Sequence, residues 1–177
     1  MENFSELVKV RRSMRKFTDE KITAEEQRQL MRAALMAPSS KGLHSYEFVV
    51  VEDGHQIAEL AASKDRGAEF LAGAPLAIVV MADPAVSDVW IEDASVAATM
   101  LLCQAEDMGL GACWVQIRER ADEQGVNAED NVRRILNIDP SKRILCIVAV
   151  GHKGMERKPQ NEERLAWDKV HSQTLIF

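Results

Sequence analysis

Four short apolar runs restrict the folds open to this chain more than any other feature. They span residues 48–51, 76–81, 111–117 and 144–150. Short runs without polar alternation are typical of strands that are buried on both faces. The segments between them carry apolar residues at three- and four-residue spacings, which indicates amphipathic helices. Interleaved strands and helices without a repeat or a linker predict an α/β or α+β class, with one sheet and a single domain over residues 1–177.

Helix signals fill the segments between these runs. Thr23 followed by Glu26 three residues later forms a capping-box pattern, and Pro38 stops the helix that begins there. The longest helical pattern spans residues 87–108, and Gly109 is its C-terminal stop. Further helices are predicted just before Arg11, over 55–62, over 67–72, from a cap at Asn127 and Asp130 to about residue 136, and over 162–171.

Charge and cysteine content exclude several classes of function. With 22 basic and 28 acidic residues, and a net charge of −6, the chain lacks the large basic face that nucleic-acid or membrane-surface binding needs. No apolar run has the length of a transmembrane helix or the form of a signal peptide. Three cysteines far apart predict neither a disulfide framework nor a zinc cluster. We therefore expect a cytoplasmic protein without nucleic-acid or membrane partners.

Common catalytic and metal-binding motifs are missing. The four histidines are scattered along the chain, so no metal site is predicted. Gly109-Leu110-Gly111 begins like a dinucleotide fingerprint, but Trp114 takes the place of the third glycine and the motif follows a helix. No serine lies in a Gly-x-Ser-x-Gly setting. We predict no catalytic side chain, so an enzyme with this sequence would rely on a bound cofactor.

A basic cluster follows the first predicted helix. Five of the eight residues over 9–16 are basic and none is acidic. Arg11, Arg12 and Arg15 offer planar donor forks, and Ser13 adds a hydroxyl, which suits a phosphate or an acceptor-rich ring edge such as that of a flavin. On the residues alone, a solvated basic turn and a nucleic-acid-binding arm are the alternatives.

A second candidate site is the hydroxyl-rich loop over residues 38–42, which joins a predicted helix to a predicted strand.

The order of these features resembles the FMN-dependent nitroreductase family from about residue 4 to the low 170s. The resemblance implies an α+β sandwich, with a central, mostly antiparallel sheet flanked by helices, and a homodimer with FMN at the subunit interface. It rests on Arg11-Arg12-Ser13-Met14-Arg15-Lys16-Phe17, Ala37-Pro38-Ser39-Ser40, Gly73-Ala74-Pro75, Gly109-Leu110-Gly111-Ala112-Cys113-Trp114 and Gly151-His152-Lys153.

The resemblance also implies roles for individual residues. The basic motif of the family holds the FMN phosphate and the pyrimidine edge of the ring, and a basic residue after the last strand completes the phosphate site. A loop of the partner subunit lies against the ring, and a strand end presents backbone groups to its reactive nitrogen. The cofactor-binding residues implied here are Arg11, Arg12, Ser13, Arg15, Pro38, Ser39, Ser40, Gly42, His44, Val115, Gln116, Ile117, Gly151, Lys153 and Lys158.

The sequence departs from the family pattern in the loop. Gly42 stands where an asparagine is usual, so that position has no side-chain amide for the flavin. His44-Ser45-Tyr46 stands where Gln-Pro-Trp is usual, and His44 either donates to a ring acceptor or points to solvent. Thr99 replaces a frequent asparagine in the long helix.

The activity that the resemblance implies is an FMN-dependent NAD(P)H oxidoreductase. It would use NADH or NADPH to reduce nitro, quinone or similar acceptors by a ping-pong hydride transfer. One alternative is an FMN-binding storage or redox-responsive module with little turnover, and another is a protein without flavin that uses the basic cluster structurally or for nucleic acid. The long helix is apolar over a wide arc, which either a partner subunit or other helices of the same chain would cover.

Overall fold

The computed structural model describes residues 3–171, and its elements follow most of the predicted pattern. The α-helices are α1 (Phe4–Val10), α2 (Ala24–Leu35), α3 (Gly54–Ala61), α4 (Trp90–Asp107) and α5 (Ala128–Leu136). The strands are β1 (Tyr46–Val51), β2 (Leu76–Ala82), β3 (Leu110–Gln116) and β4 (Arg143–His152). Within the described range, no helix is both long enough and apolar enough to span a bilayer.

The four strands form one sheet in the order β1-β2-β4-β3. Every neighbouring pair is antiparallel, and the register shifts once, between Val80 and Met81, where β2 pairs with β4. The predicted α+β class with an antiparallel central sheet is therefore confirmed. β2 and β4 are the two central strands, and β1 and β3 are the edge strands.

Alternate residues of β2 belong to two separate cores. Ile78 and Val80 pack with α2 and α4 on one face of the sheet, whereas Ala77 and Val79 pack with α3 and α5 on the other. Successive side chains of a strand point to opposite faces, and helices cover both faces here. This explains why antiparallel strands carry uninterrupted apolar runs, a pattern that is more typical of parallel sheets.

The helix ends confirm the predicted punctuation. The Glu26 N–H donates to Thr23 Oγ1 at 3.2 Å and the Thr23 N–H donates to Glu26 Oε2 at 2.7 Å, which completes the capping box of α2. Gly109, which follows α4, has a φ of 78° and reverses the chain into β3. Asn127 caps α5, although its side chain accepts from the N–H of Glu129 and not from that of Asp130.

One of the predicted helices is wrong, and a second has 3₁₀ geometry. Residues 162–171 form only the short 3₁₀ turns Glu162–Arg164 and Trp167–Lys169, and their side chains are exposed. A segment of this length forms a stable α-helix only when one face packs on a core, and this segment has none beneath it. The segment predicted over 67–72 is a 3₁₀ turn over Glu69–Gly73.

The wide apolar arc of α4 is largely covered by its own chain. Trp90, Ala94, Ala98 and Leu101 are buried in the core that α4 shares with α2 and the sheet. The sequence left open whether a partner subunit or the same chain covers this arc, and for these residues the same chain covers it. Their pattern therefore gives no support to dimerisation.

Candidate functional site

The basic segment, residues 11–17, is fixed to the sheet by its backbone. The Met14 N–H donates to the Ala112 carbonyl of β3 at 2.9 Å, and the Gly154 N–H, just after β4, donates to the Lys16 carbonyl at 2.9 Å. The main chain is thus held without the use of an arginine side chain. This arrangement leaves guanidinium groups available for contacts with a ligand.

Two glycines allow the basic segment to approach the strands. A Cβ atom at Gly111 would lie 2.6 Å from Met14 Cγ, and one at Gly151 would lie 2.7 Å from Pro75 Cδ and 2.8 Å from Phe17 Cδ1. Any larger residue would push the basic segment away from the sheet. Gly151, which the resemblance places among the cofactor-binding residues, is buried beneath Phe17 and Pro75 and positions this segment.

An open cleft of about 690 Å³ lies beside the basic segment, and we name it the basic cleft. Its lining includes Arg12, Lys153 and Arg157 as cations, and Glu106 and Glu156 as anions. A cleft of this volume can hold a ligand of the size of a cofactor. Guanidinium and ammonium groups together suit a phosphate group.

Arg12 connects the basic segment to the C-terminal part of the described chain. Its Nη1 donates to the Lys158 carbonyl at 2.5 Å and lies 3.4 Å from the Pro159 carbonyl. Lys158 contributes its carbonyl to this contact, and its side chain is exposed. A guanidinium has five N–H donors, so Arg12 keeps donors for a ligand in the cleft.

Lys153 forms an ion pair inside the basic cleft. Its Nζ lies 2.6 Å from Oε1 of Glu106, in the last turn of α4, and the Glu106 side chain is only 8% exposed. The sequence predicted Lys153 as a site residue and missed Glu106. One signal was available, because an acidic residue is unfavourable near the C-terminal end of a helix unless a cation compensates it.

Arg15, Ser13 and Arg11 all influence the thiol of Cys113 in β3. Burial raises the pKa of the Cys113 thiol, and the neighbouring Arg15, Ser13 and Arg11 side chains offset only part of this shift. Burial likewise raises the pKa of Cys103, with a smaller opposing effect from Arg11. Both thiols therefore stay protonated and inert at neutral pH. Arg15 also lies over the ring of Phe70, with its Cζ 5.7 Å from the centroid.

The serine loop, residues 38–44, is held by side chains. The Ser40 N–H donates to Oδ1 of Asp93 at 2.7 Å, and the Ser87 hydroxyl donates to Oδ2 of the same buried carboxylate at 3.0 Å. The Ser39 hydroxyl accepts from the His44 N–H at 2.9 Å. Pro38 is exposed at the start of this loop. Asp93 was not predicted as a site residue.

Three residues of the serine loop have left-handed backbone conformations. The φ angles are 53° at Lys41, 66° at Gly42 and 46° at His44. Glycine adopts this region without strain, whereas lysine and histidine adopt it at a cost of the kind that often marks functional loops. The left-handed backbone therefore favours glycine at position 42, independently of the missing side-chain amide.

The tautomer of His44 follows from its hydrogen bonds. The Tyr46 hydroxyl donates its single hydrogen to the Ala37 carbonyl at 2.6 Å, so the Nδ1 of His44, at 2.7 Å from the same hydroxyl oxygen, carries a hydrogen and donates it. Burial, with a contribution from the Asp93 carboxylate, raises the pKa of Tyr46 and keeps the hydroxyl protonated. In the neutral imidazole, Nε2 is then an acceptor.

Of the three residues at the end of β3, Gln116 has its backbone groups on the free edge. Hydrogen-bonding groups of an antiparallel edge strand alternate between its neighbour and the outer edge. Ala112 uses its carbonyl outward to bind Met14, so Gln116 also faces outward, whereas the Ile117 N–H donates to Leu145 of β4. Val115 alternates with Gln116 and is buried.

The basic cleft and the serine loop lie at opposite ends of α4. Asp93, which binds the loop, is in the first turn of the helix, and Glu106, which binds Lys153, is in the last. A helix rises 1.5 Å per residue, so about 20 Å along the axis separates them. Within one chain, Arg12 and Lys153 both line the basic cleft, and the serine loop lies apart from them.

Comparison with known proteins gives a consistent match over this whole architecture. The model of the Nitroreductase family matches residues 8–65 and 60–152. The FMN-dependent nitroreductase of Clostridium difficile superimposes with a TM-score of 0.94 at 39% identity, covering 97% of this chain and 100% of that one. A candidate NADH dehydrogenase/NAD(P)H nitroreductase of Archaeoglobus fulgidus is 29% identical over 176 residues, covering 97% of this chain and 98% of the relative.

A more distant structure shares the fold. A nitroreductase-like protein of Desulfovibrio desulfuricans, solved in complex with FMN, superimposes with a TM-score of 0.75 at 23% identity over 97% of this chain and 100% of that one. The match of the family model extends from within α1 to the end of β4 and includes the basic segment, the serine loop and the Gly111 and Gly151 contacts. This chain belongs to the Nitroreductase family and has the nitroreductase fold.

Proposed function

We propose that this protein is an FMN-dependent NAD(P)H oxidoreductase. The observation that carries the proposal is the basic cleft, where Arg12 and Lys153 meet beside a basic segment whose main chain the sheet holds. The similarity to the Clostridium difficile FMN-dependent nitroreductase supports the choice of FMN. The name of the Archaeoglobus fulgidus relative supports NADH or NADPH as the electron donor.

The residues present fit the cofactor. Arg12 retains N–H donors and Lys153 is the second cation of the cleft, so both suit the phosphate. Arg11, Ser13 and Arg15 are grouped at Cys113 of β3, where they suit the acceptor-rich pyrimidine edge. Lys158 has an exposed side chain that would approach the same phosphate.

The chain would bind and orient the flavin, and the flavin would carry the reaction. FMN, when bound, supplies hydride chemistry between NAD(P)H and a nitro, quinone or similar acceptor in a ping-pong sequence. Gln116 would direct its outward backbone groups to the ring. Arg11 and Arg15 would place positive charge beside the acceptor-rich edge of the ring. No side chain acts as a general acid in this scheme.

We further propose that two subunits complete each site. The serine loop is tied to one end of α4 and the basic cleft to the other, so a second copy of the chain would bring its own serine loop to the flavin. Exposed apolar side chains on the helical layer support such an interface. They are Phe4 and Val8 of α1, Leu35 and Met36 at the end of α2, and Val96 and Met100 of α4. Light scattering should give the mass of a dimer, and a monomer would refute the shared site.

The direct test is the visible spectrum of the purified protein, followed by anaerobic stopped-flow mixing with NADH and with NADPH. A yellow protein whose flavin absorbance is bleached by either nucleotide supports the oxidoreductase. Bound FMN that neither nucleotide reduces would favour the storage or redox-responsive module. A protein that neither retains nor binds FMN would exclude both readings. The cytoplasmic location stays a prediction, with which the three free cysteines agree.

Substitutions in the basic segment test whether the arginines near Cys113 bind the flavin. R11A and R15A should each lower FMN affinity by about tenfold or more, because each removes a charge-assisted donor at the flavin. R28A is the matched control, since Arg28 is an exposed arginine on α2. Flavin fluorescence quenching measures all three, and circular dichroism checks the fold. Equal FMN affinity in R11A, R15A and R28A would place the flavin elsewhere.

A further inference from the structure

Glu106 is an anion in a cleft that otherwise suits a phosphate. Its side chain is 8% exposed, and its one carboxylate contact in the described chain is the 2.6 Å ion pair with Lys153. Glu156 also lines the cleft but is exposed, where water screens its charge. Glu106 is therefore the acidic group whose field acts most strongly inside the basic cleft.

The path of the Lys153 side chain keeps the two charges together. A Cβ atom at Gly111 would lie 3.3 Å from Lys153 Cγ, so the lysine stem passes over this glycine of β3 on its way to α4. Its ammonium ends at Glu106 Oε1. Any anion that contacts the ammonium then lies within about two hydrogen-bond lengths of a buried carboxylate.

We propose that Glu106 is a specificity-determining residue of the phosphate site. It opposes the binding of a dianionic phosphate at Lys153, and it thereby sets how strongly the protein prefers FMN to riboflavin, which is the same flavin without the phosphate. The proposal rests on the proposed function, because it assumes that the basic cleft binds the FMN phosphate.

Two opposing effects decide the sign. Glu106 orders the Lys153 ammonium, and this favours a ligand through the rotamer freedom of one side chain. Its negative charge repels the phosphate, and that repulsion is doubled because the phosphate carries nearly two charges at neutral pH. Since the carboxylate is buried and poorly screened, we expect the repulsion to exceed the ordering effect.

The test compares dissociation constants for FMN and riboflavin, measured by quenching of flavin fluorescence. E106Q keeps the shape of the side chain and removes its charge. We expect the preference for FMN over riboflavin to rise about tenfold, equivalent to ~1.4 kcal/mol. Riboflavin affinity should stay within about twofold of wild type, because riboflavin has no phosphate for Glu106 to repel. A purely structural effect of the substitution would instead change the affinity for both flavins alike.

Two further variants serve as controls. E156Q removes an exposed charge from the same cleft and should change the preference by less than about threefold. E106Q/K153Q removes both members of the buried pair, so loss of the cation and loss of the anion should offset each other and leave the preference within about threefold of wild type. This double variant also provides a reading that does not depend on E106Q folding alone.

The outcomes separate the two proposals. If wild type binds FMN and E106Q leaves or lowers the preference, Glu106 does not oppose the phosphate and the inference fails, while the proposed function stands. A double variant whose preference falls tenfold would likewise show that Lys153 acts without opposition. If wild type binds neither flavin, the proposed function itself fails.

Discussion

The two ends of α4 hold their functional segments in different ways. At the C-terminal end, the basic segment is fixed by backbone hydrogen bonds to β3 and to the residue after β4. Its position requires that Gly111 and Gly151 lack side chains. At the N-terminal end, the serine loop is fixed by the side chains of Asp93 and Tyr46 and contains left-handed residues. One region depends on close approach of two backbones, and the other depends on a few buried polar groups.

This difference has a functional meaning. A segment fixed through its backbone keeps its place while its side chains bind or release a ligand, which suits a site for a charged phosphate. A loop fixed by a few side-chain hydrogen bonds changes its conformation when one bond is lost. The first region should therefore resist polar substitutions and fail on a small increase in volume, and the second should show the reverse.

The largest expected effect comes from adding volume under the basic segment. G151A places a methyl group against the rigid ring of Pro75 and against Phe17, so we expect a loss of about 3 kcal/mol in unfolding free energy, at the upper end for overpacking. Urea denaturation measures the loss. G73A is the matched control, because a Cβ atom there meets nothing within 4 Å, and its stability should be nearly unchanged. Equal stability of the two variants would contradict the close approach seen here.

An intermediate effect is expected at the anchor of the serine loop. D93A leaves the Ser40 N–H and the Ser87 hydroxyl without their acceptor, which should lower the unfolding free energy by about 2 kcal/mol. Its exposed neighbour supplies the control, and E92A should cost less than about 0.5 kcal/mol. The same urea titrations compare them. A loss in D93A no greater than that in E92A would show that the carboxylate does not hold the loop.

The smallest effect is expected at the hydroxyl that joins His44 to the loop. Y46F removes the bond to the Ala37 carbonyl and the acceptor for His44 Nδ1, and should cost about 1 kcal/mol. H44A keeps the bond between Tyr46 and Ala37 and should cost about half as much or less, because the imidazole is exposed. Thermal unfolding of both variants ranks them, and a larger loss in H44A would place the anchor on the histidine.

Much of the fold could be predicted because its signals are local. The apolar runs became β1 to β4, of which β2, β3 and β4 are largely buried, and the Thr23 capping box fixed the start of α2 within one turn of chain. The helix predicted over 162–171 failed for a non-local reason. Its sequence is compatible with a helix, but its side chains are all exposed, so no apolar face of it is buried on a core.

The candidate site was predicted less completely. The basic segment carries its own signal, since its cations are adjacent in sequence and stand out in an acidic chain. Glu106 has only the weak signal of an acid near a helix C-terminus, and the residues that Glu106 and Asp93 hold in the site, Lys153 and Ser40, lie 47 and 53 residues away. Distant pairings of this type depend on how the elements assemble, which spacing within one element does not encode.

The contact between Arg12 and the Lys158 carbonyl spans 146 residues of sequence. Closing so long a loop has a high entropic cost, and contacts of this kind form after the local ones. During synthesis, the lining of the cleft is complete only when residue 159 has left the ribosome, because the lining includes residues up to Pro159. A nascent chain that stops short of this point would contain every strand of the sheet and still lack a finished place for a cofactor.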